Sequence, residues 1–168
     1  MLPLRRQFRI VNGGTPTSEA DNWDGEVPWA TPIDLARVDG RLLGQTARTL
    51  TAGGARRGSV LVAAGSLILS TRAPIGYIAR TNREVAFNQG CKALVPITDI
   101  DARYDTYVLG SITRQLQGLG QGSTFADLSN EALLGFAVPA PPLAAQRKIA
   151  DFLDAETARI DALAATRC

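Results

Sequence analysis

Cys91 and Lys92 stand side by side in "STRAPIGYIARTNREVAFNQGCKAL", residues 70–94, next to the amide pair Asn88-Gln89 and Gly90. A thiol beside an amine invites a nucleophilic reading, because a thiolate attacks once a base has taken its proton. The chain has no histidine, however. That removes Ser-His-Asp and Cys-His catalysis, HExxH zinc sites and the commonest base at neutral pH. Only Lys92 or a distant carboxylate is left to activate Cys91. Lys148 follows Gln-Arg and Lys92 follows Gly-Cys, so neither lysine belongs to a P-loop or to an acid-x-Lys nuclease motif. "GLGQG" at 118–122 lacks the preceding strand and directly following helix of a dinucleotide loop, and reads as a turn.

The chemistry that remains is recognition. Nearly all the positive charge is arginine, whose planar, permanently charged fork suits phosphate oxygens and guanine edges; a GC-rich coding bias gives the same usage. Position is the better guide. Arg48, Arg56 and Arg57 fall where residues 40–58 lose periodicity, and Arg72, Arg80 and Arg83 fall at the ends and tip of an expected hairpin. Ser123 and Thr124, among glycines, can offer hydroxyls to phosphate or simply shape a turn. Asn88 and Gln89 can read adenine or satisfy backbone groups beside Gly90.

These side chains need a scaffold, and 168 residues with 45% hydrophobic content suffice for one core. With 18 basic and 16 acidic residues the formal charge is only +2, so any basic surface is local. The first residues contain no secretory h-region and no stretch approaches a membrane span, so the cytoplasm is expected and no membrane contact. Two cysteines, one of them terminal, point to reduced thiols.

"FRIVNGGTPT" reads as a strand entering a Gly-Gly turn, and "DGEVP" between Trp23 and Trp29 as a turn with an edge segment. Pro32 starts a single helical turn near Asp34. "SVLVAAGSLILST" reads as buried strands either side of Gly65, and the strands around Thr81-Asn82-Arg83-Glu84 as paired, with an irregular joint at Gly90. Tyr104, Tyr107, Val108, Ile112, Leu116 and Leu119 predict one amphipathic helix behind an Asp101 cap, with Arg103 and Arg114 off its apolar face. Ser129 caps a further turn before "FAVPAP". After Pro142 a last helix carries Ile149, Leu153, Ile160 and Leu163 in one stripe, with Glu156 where another apolar residue would complete the seam. Nothing earlier in the chain has to pack on it, so the stripe is free to face the domain or another helix.

The motifs "GGTPT", "VPWATPIDL", "STRAPIGYIA", "AFNQGCKAL", "GSTFADLS" and "VPAPPLAAQRKIADFLDAETARID", in that order, closely resemble one target-recognition domain of the DNA specificity subunit of type I restriction-modification systems. The resemblance implies an α+β fold: a twisted β-rich body over residues 1–142 with packed helices, then from 143–168 the start of a spacer helix. It also implies a non-catalytic subunit that reads half of a bipartite site on double-stranded DNA. Such a subunit positions a DNA methyltransferase and, through it, a restriction subunit. Methyl donor and nucleotide would bind those partners, so no cofactor is expected here.

Family members usually carry two recognition domains and two long spacer helices, so this chain is expected to be a half-subunit. Its last helix, about 39 Å long at ~1.5 Å per residue, is expected to dock a second specificity half through Ile149, Leu153, Glu156, Ile160 and Leu163. The expected DNA contacts are Arg48, Arg56, Arg57, Arg72, Arg80, Arg83, Ser123 and Thr124. Cys91, inside the Asn-Gln-Gly joint of the resembling family, is expected to be buried packing. Two other readings stay open: a truncated remnant acting only as an interaction or decoy protein, and, more remotely, a thiol or carboxylate enzyme.

Overall fold

The run at 66–70 shows no alternation of polar and apolar residues because its strand is covered on both faces. In the computed structural model, which describes residues 1–72, 74–119 and 127–166, this strand lies inside a four-stranded antiparallel sheet. The order is β2 (Phe8–Asn12), β9 (Cys91–Pro96), β6 (Leu67–Ser70) and β7 (Ile78–Arg80). Phe8, Leu67, Leu69, Ile78 and Leu94 point to one side, onto Leu109, Leu116 and Leu133 of a helical layer. Ile68, Ala79, Cys91 and Ala93 point to the other, onto Ala30, Leu35, Val85 and Phe87. Each large apolar side chain buried this way contributes about 1.5–3 kcal/mol against exposure.

The second of those surfaces belongs to a mixed sheet of order β4 (Arg48–Leu50), β3 (Trp23–Ala30), β8 (Val85–Phe87) and β5 (Leu61–Val62). Here β3 and β8 run parallel and the other pairs antiparallel. Beyond it, Trp23, Trp29, Leu50, Ala55 and Ala86 form a third cluster with helix α2 (Ala52–Gly58). Helix α1 (Pro32–Val38) packs Leu35 into the core between the sheets. The helical layer comprises α3 (Ala102–Ser111), α4 (Thr113–Leu119) and α5 (Asn130–Gly135). A short pair, β1 (Leu2–Pro3) with β10 (Ala137–Val138), brings the N-terminus to the start of α6 (Leu143–Ala165). The architecture is α+β, as the motifs implied.

Caps read from the sequence are in place. Asp101 accepts from Arg103 N and Tyr104 N, and Ser129 accepts from Ala132 N. Thr31 and Asp34 form a reciprocal capping box that extends α1 to seven residues, longer than the single turn expected.

Four expectations are corrected. "DGEVP" is not a turn: Trp23–Ala30 is one strand that absorbs a bulge between Trp23 and Val27, with Asp24 at φ 62°. Residues 40–58, aperiodic and read as loop-rich, hold β4 and α2. "AGGARRG" is a poor helix by propensity, yet a Cβ on Gly54 would meet Asn22 O at 2.1 Å, so tertiary packing demands the glycine that propensity penalises. The chain does not turn back on itself at Thr81-Asn82-Arg83-Glu84; it crosses there from β7 in the first sheet to β8 in the second, and the hairpin present is β6–β7. Thr81 Oγ1 instead donates to the carbonyls of the Gly65 turn at Ala63 and Ser66. Finally, the single helix after Asp101 breaks at Ile112 into α3 and α4.

Asp105 sits on the buried side of α3, and its Oδ2 has no hydrogen-bond partner among the described residues. Burial first, and then the charge of Asp101, push its carboxyl up to about 7. The folded state therefore binds more protons than the unfolded one between the ordinary carboxylate value and pH 7, and stability falls as pH rises through that window. Asp105→Asn is expected to stabilise the protein at pH 8 by a few kcal/mol, about 1.4 for each unit of the shift. The gain should shrink toward zero near pH 4, as measured by urea unfolding across that range.

Candidate nucleic-acid interface

One end of the two sheets is built by backbone contact. Gly13 and Gly14, leaving β2, run against Phe87 and Asn88 so closely that a Cβ on Gly13 would lie 2.0 Å from Asn88 O. Gly14 N donates to Phe87 O at 2.9 Å, and Trp29 Nε1 donates to Gly14 O at 3.0 Å. Thr15 Oγ1 donates to Gln89 Oε1. Gly90 O accepts from both Thr71 N and Arg72 N. Segments far apart in sequence, 13–17, 29–32, 70–72 and 88–90, thus form one connected loop surface. Asn88 Oδ1 accepts from Gly90 N at 3.0 Å, so this amide serves its own turn.

Beside that surface lie Arg48, Arg56 and Arg57. Arg48 is exposed on β4, with its guanidinium 3.4 Å from the centroid of the Trp23 ring. Trp23 is itself fixed, because its Nε1 donates to Thr17 O at 2.9 Å and its ring meets Trp29 edge-on at 5.0 Å. Arg57, on α2, donates to Asn22 Oδ1 at 2.7 and 3.0 Å, while Asn22 Nδ2 donates to Thr17 Oγ1 at 2.9 Å. Arg56 is exposed on the same helix. None of the three has a carboxylate within ion-pair distance among the described residues.

The remaining arginines of the expected set lie apart. Arg72 pairs with Asp127 at 3.4 Å, next to Lys92. Arg80 ends β7 in a cleft against α6, and Arg83 donates to Gly44 O at 3.2 Å, so neither is at a hairpin tip. Ser123 and Thr124 lie outside the described residues. Cys91 is fully buried; desolvation first, then the Asp34 carboxylate, push its thiol far above the ordinary range, which holds it neutral and unreactive. Lys92 is lowered by burial and by Arg72, against the opposing pull of Asp127. Among the described residues no group of His, Cys, Asp or Glu is placed to hold a metal ion, and no helix is long and apolar enough to cross a membrane.

Helix α6 packs on the domain, burying Gln146 and Ala150 at its root, and is held there by charged contacts. Arg103 donates to Asp101 at 2.8 Å, to Asp151 at 2.7 Å and to Asp154 at 3.0 Å. Tyr107 OH donates to Asp154 at 2.8 Å, and Arg41 to Asp161 at 2.6 Å. Ile149, Ile160 and Leu163 remain exposed, joined by Phe152 at 64% exposure, which the four-and-seven spacing passed over. Leu153 lies at the margin of the docked face, and Glu156 pairs with Arg159 at 2.8 Å within the helix. Also missed were Trp23 as a platform and Arg103 as a hub. Two tryptophans within seven residues are a visible signal for the first; Arg103 as a link to α6 carries none, since its partners on that helix are about fifty residues away.

This two-sheet body belongs to a class of DNA-recognition domain: the family described as the type I restriction modification DNA specificity domain matches residues 7–167. The chain belongs to that family. It is 30% identical over 148 residues to the type I restriction enzyme MjaIX specificity subunit of Methanocaldococcus jannaschii, covering 86% of this chain and 34% of that protein. To the EcoR124I/EcoR124II specificity subunit of Escherichia coli it is 26% identical over 151 residues, covering 84% and 37%. The chain thus spans about a third of the length of these relatives. The crystal structure of the HsdS subunit from Thermoanaerobacter tengcongensis shares the fold, with a TM-score of 0.76 at 21% identity over 99% of this chain and 39% of that one. A structure describing complex assembly and conformational transition of the type I R-M system gives 0.78 at 21% identity, over 96% and 39%.

Removing the Arg103 guanidinium leaves Asp101 and Asp154 without their shared donor. Arg103→Ala is expected to cost about 1 kcal/mol in thermal or urea unfolding. Amide hydrogen exchange should rise along α6 more than in the first sheet.

Proposed function

We propose that this chain is the DNA-reading part of a type I specificity subunit: it binds one half of a bipartite duplex sequence and makes no covalent change itself. The observation that carries the reading is the gathering of Arg48, Arg56 and Arg57 on β4 and α2 with no carboxylate paired to any of them among the described residues. Guanidiniums held on a rigid scaffold and left uncompensated attract a polyanion and position it. Arg72 and the loop of 13–17 border the same surface; Ser123 and Thr124, outside the described residues, stay in the proposal as hydroxyl donors to phosphate. Arg80 and Arg83, placed toward α6 and Gly44, contribute less to this reading.

In the same proposal residues 1–142 form the recognition body and 143–168 the beginning of a spacer helix. The exposed stripe of Ile149, Phe152, Ile160 and Leu163, with Leu153 and Glu156 at its borders, receives a second specificity half and the methyltransferase. Methylation and ATP-driven cleavage reside in the partner subunits, and the compartment is the cytoplasm. Family membership supports this over an interaction-only remnant.

Duplex binding followed by fluorescence anisotropy at rising salt tests it. The affinity should fall linearly in log–log form, and Arg56→Ala should weaken binding to all sequences alike while reducing the salt slope by about 1. Absent or salt-insensitive binding would remove the DNA-reading role.

A further inference from the structure

Arg48 differs from every other cation of this surface in what holds it. Its guanidinium carbon sits over the Trp23 indole, 3.4 Å from the ring centroid. No hydrogen bond or ion pair engages its side chain among the described residues; the one bond at this residue is from Thr46 Oγ1 to its backbone oxygen. The ring covers the guanidinium from one side, and its N–H donors stay without a partner among the described residues. Arg57 is the contrast, since its Nε and Nη2 are both committed to Asn22 Oδ1.

The support beneath Arg48 is also rigid. Trp23 is buried, anchored through Nε1 on Thr17 O and held edge-on by Trp29. β4 is the edge strand of its sheet and pairs antiparallel with β3, Arg48 lying opposite Trp29. β4 thus stands at the rim of its sheet, where Arg48 is exposed. A contact to a phosphate needs charge and reach, which a mobile arginine or lysine supplies. A contact to a base edge needs a donor pair fixed in plane and direction, and that is what stacking secures.

Resting on the DNA-reading role proposed above, we infer that Arg48 is a specificity-determining residue: clamped on Trp23, it presents its N–H fork to the paired acceptors O6 and N7 of a guanine. The indole contributes by fixing the approach of the fork, and it strengthens the cation's hold without neutralising it. Arg56, exposed and without a platform, touches the backbone only.

Selection from a randomised duplex pool, with the full chain and its Arg48→Lys and Arg56→Lys variants, tests the assignment. Arg48 is exposed, so the lysine variant keeps the fold, which its melting curve verifies. Arg48→Lys preserves the charge and loses the fork. The expected result is that wild type selects a motif containing a guanine at which Arg48→Lys loses about tenfold or more of discrimination, with non-specific affinity and salt slope unchanged. Arg56→Lys should select the wild-type motif. If Arg48→Lys weakens all sequences equally, Arg48 holds a phosphate and the base-reading role is overturned. An unchanged motif at unchanged affinity overturns it as well. A wild type that binds duplexes without any preferred motif refutes Arg48 as a reader while leaving duplex binding intact; a wild type that binds no duplex removes the underlying DNA-reading role, and Arg48 with it.

Discussion

The close passage of Gly13 and Gly14 over Phe87 and Asn88 is the contact on which the loop end depends. It joins β2 of the first sheet to β8 of the second by main chain alone, where any Cβ on Gly13 would collide with a carbonyl at 2.0 Å. Because the join is made by backbone, Gly14 O is left to accept from the buried Trp29 indole, a donor that would otherwise cost about 1–3 kcal/mol if left unpaired. Trp29 then braces Trp23 edge-on, and Trp23 supports Arg48. A contact between glycines and a strand end thereby determines where a guanidinium stands on the far side of the second sheet.

The arginines divide by the chemistry of their partners more than by their number. Arg103, Arg41, Arg72 and Arg159 each lie within ion-pair distance of a carboxylate, and their charge is spent inside the molecule. Arg57 is held as firmly, but by an amide oxygen and a backbone carbonyl, which fix a cation without cancelling it. Arg48 is held by an aromatic face to the same end. A formal net charge of +2 conceals this partition. The field that a polyanion meets is set by which cations keep their charge, and Arg48, Arg56 and Arg57 on β4 and α2 are among them.

Much of the scaffold was legible in the residues. Asp101 and Ser129 announce their helices because a cap is a local event, settled within three residues. The unbroken apolar run at 67–69 marks a strand buried on both faces. What could not be read is set by tertiary contact. Val85, Ala86 and Phe87 are all buried, so their pattern fits a hairpin partner of β7 as well as the parallel neighbour of β3 that they are. Helix α2 contradicts its own propensity because Gly54 must pass Asn22. At the site, the grouping of Arg48 with Arg57 was visible only as nearness in sequence. The Trp23 platform, the Asn22 clamp and the diversion of Arg80 toward α6 follow from register and packing that periodicity does not encode.

Helix α6 shows why the docking of a helix and its pairing need different surfaces. Had the helix bound its own domain through its apolar residues, Ile149, Phe152, Ile160 and Leu163 would be consumed and nothing would remain for a second helix. Instead Asp151, Asp154 and Asp161 meet Arg103, Tyr107 and Arg41, and the stripe stays in solvent. Half-exposed ion pairs add little net stability, and their value lies in direction: each fixes one rotation of the helix about its axis and excludes others. Gln146, buried at the root of the helix, adds a neutral restraint by donating to Pro141 O and accepting from Asp101 N. Asp101 is thus at once the cap of α3, a partner of Arg103 and a backbone donor to α6. Burial opposes the charge on its carboxyl, but the Arg103 guanidinium and the backbone donors hold it below the ordinary range. The same group that starts α3 keeps α6 at its angle, so the exposed stripe is presented in a fixed direction relative to the loops at the sheet ends.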